Sequence, residues 1–184
     1  MVRISNPWNY WGRAGLYLVL FIWGWMFIFM EFETNEIGNS FWHSINLGFH
    51  EAGHFLFQSF GRFITVLGGT LGQLLAPLIL MLLFIFKNEA YFAASLALWW
   101  LGQSFMDCAP YINDALALRL TLLGGGIGRD DPGRHDWYYL LNQLGIIEYH
   151  HGVAVAFDWF GVLIMISAFM WGGLLLFFQY QDVD

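Results

Sequence analysis

The sequence predicts an all-α fold, a polytopic integral membrane helix bundle of about five hydrophobic segments, and composition, hydropathy and charge spacing each point that way. Of 184 residues, 58% are hydrophobic and only 11% charged, against roughly 45–50% and 25% in a soluble domain. Mean hydropathy is +0.55. Asp, Glu, Lys and Arg are missing from Ala14 to Met30, Phe63 to Phe86, Ala90 to Met106 and Trp159 to Gln181. Each run approaches the ~20 residues a helix needs to cross ~30 Å of hydrocarbon. A soluble bundle built on four such runs would have too little polar surface to cover them.

The elements follow in order. Residues 1–40 read as a short lead, a first span and an acidic external loop, with Trp8, Tyr10 and Trp11 suited to the headgroup layer. The span reads as retained and not as a signal peptide. It is longer than a typical signal core and runs into Glu31-Phe32-Glu33 with no small-residue cleavage pattern. Residues 41–115 hold three further hydrophobic elements. Phe41 to Phe60 has Glu51 as its one formal charge. Phe63 to Phe86 is interrupted by Gly68-Gly69, Gly72 and Pro77, small or kinking residues that allow close helix contact and a bend. The next runs from Ala90 to Asp107 and is expected to break near Pro110.

Residues 116–152 read as a polar cytoplasmic loop. Its run Gly124-Gly125-Gly126-Ile127-Gly128 lacks the Lys-Ser/Thr and the preceding strand of a phosphate cradle, so it reads as a flexible turn, and Trp137 to Leu144 has helical apolar spacing. Residues 153–184 form the last span and an acidic tail. With no internal repeat or second soluble unit, 1–184 reads as a single membrane domain, so chemistry is expected in the membrane core or the loop.

The net charge is -7, and its distribution orients the chain. Placing the amino terminus in the cytoplasm puts Arg3, Arg13, Arg62, Arg119, Arg129 and Arg134 inside and only Lys87 outside. Glu31, Glu33, Glu36 and the Asp182/Asp184 tail then face out. A prokaryotic inner (cytoplasmic) membrane is the expected location, with the lipid bilayer as solvent. Lacking a basic patch, the chain is not expected to bind nucleic acid. Cys108 is the sole cysteine, which rules out an internal disulfide and a thiolate zinc cluster.

The chemistry concentrates at His50-Glu51-Ala52-Gly53-His54. Imidazoles four positions apart on a helix differ by about 40° around the axis and ~6 Å along it, so both can grip one metal ion. Glu51 sits about 100° from His50, within reach of a water whose pKa zinc lowers from about 15.7 to about 7. With only 6 histidines in the chain, H-E-x-x-H by coincidence is expected far less than once. A carboxylate in a span also costs about 2.5–3.5 kcal/mol or more unless something compensates it. A catalytic zinc site takes three protein ligands and one open position. The candidates for the third are Asp107, Asp114, His135, His150 and His151, and Asp114 is favoured because it follows the expected break at Pro110. His135-Asp136 has the form of an oriented imidazole lining the cytoplasmic mouth. The 10 tryptophans and 19 phenylalanines read mainly as lipid contact and helix packing.

At these residues the sequence resembles the site-2 protease family of intramembrane zinc metalloproteases. His50-Glu51-Ala52-Gly53-His54 is similar to its zinc helix, and Leu67-Gly68-Gly69-Thr70-Leu71-Gly72-Gln73-Leu74-Leu75 to the glycine-rich start of its next span, with Gln73 where Asn is frequent. Asp107-Cys108-Ala109-Pro110-Tyr111-Ile112-Asn113-Asp114-Ala115 resembles its Asn-x-x-Pro segment leading to Asp-Gly, with Asp107 in place of Asn and Ala115 in place of Gly. The resemblance covers about Phe41 to Ala115. It implies a three-helix catalytic core, Zn2+ held by His50, His54 and Asp114, Glu51 as general base, and hydrolysis of peptide bonds in a membrane-protein substrate. Two other readings fit the sequence: a catalytically silent accessory or scaffold subunit with a membrane-complex partner, and a haem- or chlorophyll-associated protein using His50 or His54 as axial ligand.

Overall fold

A computed structural model of the protein describes residues 7–181. Arg3 and the Asp182/Asp184 tail, used above to orient the chain, lie outside the described residues. The fold is all-helical, with α1 (Pro7–Ile28), α2 (Phe41–Phe57), α3 (Arg62–Phe86), α4 (Tyr91–Asn113), α5 (Asp136–Gln143) and α6 (His150–Tyr180), joined by short 3-10 turns. Between α4 and α5 a hairpin-like loop closes through a single antiparallel bridge, Thr121 to Ile127. Gly124, Gly125 and Gly126 all take positive φ there, the backbone region glycine enters freely.

α4 is the axis of the molecule. It packs most extensively on α6, and α3 joins it to α2. Its buried face carries Trp99, Met106 and Ile112 along with the polar Ser95, Gln103, Ser104 and Asp107. The α4–α6 crossing is close, because a Cβ on Gly161 would meet the Gly102 carbonyl oxygen at 2.7 Å. The α2–α3 crossing is closer still: a Cβ on Gly53 would collide with the Gly68 carbonyl oxygen, and one on Gly72 with that of Phe49. The glycines of the third segment therefore bring two backbones into direct contact. Ser40 starts α2 by accepting the backbone N–H of His43 at 3.1 Å.

Among the described residues, three stretches are long and apolar enough to cross a membrane: Asn9–Ile28, Arg62–Phe86 and Ile147–Tyr180. Their outward faces carry exposed Leu18 and Ile22, Ile79 and Leu83, and Leu163, Met170 and Phe177, as a chain solvated by lipid requires. A membrane location fits these three helices. The expected count of five is larger because α2 has only 17 residues and α4 spends its interior positions on polar side chains. The break expected at Pro110 does not occur. α4 runs through Pro110 to Asn113, and Asp114 N–H bonds to the Pro110 carbonyl at 2.9 Å, so the helix keeps its hydrogen bonds beyond the proline.

Candidate metal centre

The buried side of α2 carries His50 and, one turn on, His54, whose rings lie with centroids 4.7 Å apart. α3 makes room for them at Gly69, where a Cβ would meet His50 Nε2 at 2.5 Å and His54 Nε2 at 2.6 Å. The third member comes from the first residue of α5. Asp136 Oδ2 lies 2.9 Å from His50 Nε2 and 3.1 Å from His54 Nε2. One ligand atom from each of the three residues falls within 4.8 Å of the others, a group that could hold a metal ion.

The surrounding hydrogen bonds suit that use. His54 Nδ1–H donates to the Thr65 carbonyl at 2.8 Å, which in the neutral ring leaves Nε2 as a bare lone pair facing the Asp136 carboxylate. Two acceptors at 3.1 Å repel unless a proton or a cation lies between them. Burial pushes the Asp136 carboxyl up, but hydrogen bonds from His50 and His54 outweigh it and hold the group below its usual range. Asp136 is thus a carboxylate, as a ligand must be. Glu51 is exposed on α2. It lines, with His50, His54, Asp136 and Tyr111, one cavity of about 650 Å3.

Asp114, the carboxylate expected to complete the site, is not brought to the histidine pair. Its two oxygens accept the backbone N–H groups of Arg119 and Leu120, each at 2.9 Å, and Oδ2 lies 3.5 Å from His135 Nε2. Burial raises the Asp114 carboxyl, while His135 and the two backbone donors outweigh it, so it too sits below the usual range. The reason is that α4 does not unwind at Pro110, so Asp114 caps the chain leaving the helix. His135 is fully buried, accepts Tyr138 N–H at 3.2 Å through Nδ1 and so caps α5 while its neighbour Asp136 points to the metal site. Asp114 and His135 together fix the start of the helix that delivers Asp136.

The other candidates lie apart. Asp107 binds His43 Nδ1, Asn46 Nδ2 and Gln73 Nε2, each at 3.0 Å. His150 Nδ1 donates to the Ile147 carbonyl and His151 Nδ1 pairs with Asn113 Oδ1, both at 3.0 Å. Asp136 went unselected because it lies 86 residues beyond His50. The available signal was its position at the head of an amphipathic helix, directly after a histidine. Comparison with protein-family models, curated proteins and solved structures finds no match.

Proposed function

We propose that this chain is an intramembrane zinc metalloprotease with His50, His54 and Asp136 as ligands and Glu51 as general base. One observation carries the reading: two imidazole nitrogens and a carboxylate oxygen converge beside a free glutamate in one cavity. Two nitrogens and one oxygen with a fourth position open form the donor set of hydrolytic zinc sites. The adjacent Glu51 favours hydrolysis over oxygen chemistry, which needs no such base. When bound, zinc supplies a Lewis acid that polarises a carbonyl and acidifies water. Glu51 takes the proton of the attacking water and returns it to the amine nitrogen as the C–N bond breaks.

The setting supports a membrane-embedded substrate. α2, which carries the two histidine ligands, lies between the candidate spans α1 and α3 in the chain, and we read α2 and α4 as two further spans that the bundle shields. With the amino terminus in the cytoplasm, the α2–α3 turn and α5 share the inner side. Arg62 at that turn stacks 4.6 Å over the Tyr139 ring of α5, which supports placing the turn and α5 on the same side.

Metal analysis of the full chain purified in detergent tests the proposal. About one zinc per chain is expected, lost in the His50→Ala/His54→Ala double variant and kept in Glu51→Gln. Membranes of cells producing the wild type should accumulate cleaved single-span proteins that are intact with Glu51→Gln. A metal-free wild type refutes the reading, and a metal-bearing chain held in a fixed-ratio complex with no cleavage turns it into a scaffold.

A further inference from the structure

The cavity contains a hydroxyl whose proton is unused by the chain. Tyr111 stands in the last turn of α4 and lines the same space as His50, Glu51 and Asp136. Its phenolic oxygen accepts the Asp136 backbone N–H at 3.0 Å. That bond occupies a lone pair and directs the O–H elsewhere, and the one hydrogen bond seen at this oxygen among the described residues is the one it accepts. The ring is held in place: His135 lies against it with centroids 4.2 Å apart, and the His50 ring is 6.3 Å away. Because the oxygen is hydrogen-bonded to the backbone of one metal ligand, its free proton is held in the cavity that the ligands line.

We infer that Tyr111 is a catalytic residue of this centre, its O–H donating to the oxyanion that develops on the carbonyl under attack. The inference rests on the hydrolytic reading above. As the water oxygen bonds to the carbonyl carbon, the C=O π pair moves onto oxygen and charge accumulates there. When that pair returns, the C–N bond breaks and the amine leaves with the proton from Glu51. A fixed donor aimed at the oxygen stabilises the charged state more than the neutral carbonyl, and such donors supply large parts of the rate in acyl transfer. A tyrosine serving only to position Asp136 would use its oxygen as an acceptor and leave the proton without a role.

The test uses the Co2+-loaded full chain in detergent, whose visible spectrum reports ligands at the metal. Acetohydroxamate brings oxygens with anionic character to the metal and needs a donor, whereas 2-mercaptoethanol binds through sulfur alone. Tyr111→Phe is expected to weaken acetohydroxamate about 10- to 100-fold, the worth of one hydrogen bond to a charged acceptor, and to leave mercaptoethanol within about twofold. Unchanged acetohydroxamate binding, or equal weakening of both probes, overturns the inference and leaves the metal centre intact. A wild type that binds no metal overturns it together with the proposed function. Placing 3-fluorotyrosine at position 111 keeps the oxygen and strengthens the O–H as a donor. Acetohydroxamate should then bind more tightly with mercaptoethanol unmoved, and no tightening likewise refutes the role.

Discussion

Two aspartates lining the same cavity each face histidines of α2, and they are held in opposite ways. Asp107 is saturated with donors: His43, Asn46 and Gln73 all hydrogen-bond to it, and Asn46 is anchored in turn by Trp100 Nε1–H at 2.8 Å and Ser104 at 3.2 Å. Asp136 meets two imidazole nitrogens, and the Nδ1–H of one is already committed to Thr65. A buried carboxylate with enough donors ties helices together. One that meets imidazole nitrogens can exchange the shared proton for a cation. Residue type cannot separate the two cases, since each is an aspartate beside a histidine; the fixed amide donors of Asn46 and Gln73 at Asp107, against imidazoles alone at Asp136, do.

The contrast can be broken most forcefully at Asp136. Asp136→Ala should weaken zinc binding by more than about 100-fold, since even residues that merely support ligands are worth about 10–100-fold, while unfolding in detergent changes little. Metal titration followed by thermal melting checks both halves. Asp107→Ala should do the reverse. It strands the donors of Asn46 and Gln73 at about 1–3 kcal/mol each, lowering the melting temperature while zinc stoichiometry stays the same. Loss of zinc in this variant would erase the distinction.

Gly53→Ala should destabilise by about 1–3 kcal/mol as overpacking forces α2 and α3 apart, and because the ligand helix moves, zinc affinity should fall with it, measurable in the same titration. The smallest effect is expected at Asp114. Asp114→Asn should cost about tenfold in zinc affinity through the His135 contact that fixes α5. Its carboxyl is depressed in the folded state, so its contribution to stability is present above the unfolded value of about 4 and vanishes as pH falls through the lower folded value. The gap in melting temperature between wild type and Asp114→Asn, open near pH 6, should therefore close on acidification towards about pH 3.

Much of this was legible in the sequence, for local reasons. The runs free of charge mark α1, α3 and α6, and Trp137 to Leu144 marks α5 to within a residue at its C-terminal end. The spacing of His50 and His54 fixes a shared face because four residues make one turn. What stayed hidden depends on distance along the chain. Nothing near Asp136 signals which helix it will meet, and a proline that looks like a break is absorbed by α4 when the following residues cap it. The polar side chains of α4 lower its hydropathy while lying inside the bundle, so one helix reads differently by length and by composition.

At Gly53 and Gly72 the seam where α2 meets α3 is peptide against peptide, with no side chain between Gly53 and the Gly68 carbonyl to act as a shim. The separation of the two helices is accordingly a matter of atomic radii and cannot be retuned by swapping rotamers. Repacking elsewhere leaves that gauge untouched, and any attempt to widen it carries His50 and His54 along. In this molecule the tolerance of the histidine pair and the assembly of the bundle are one dimension, so a variant that loosens the first should be recovered only by restoring the second.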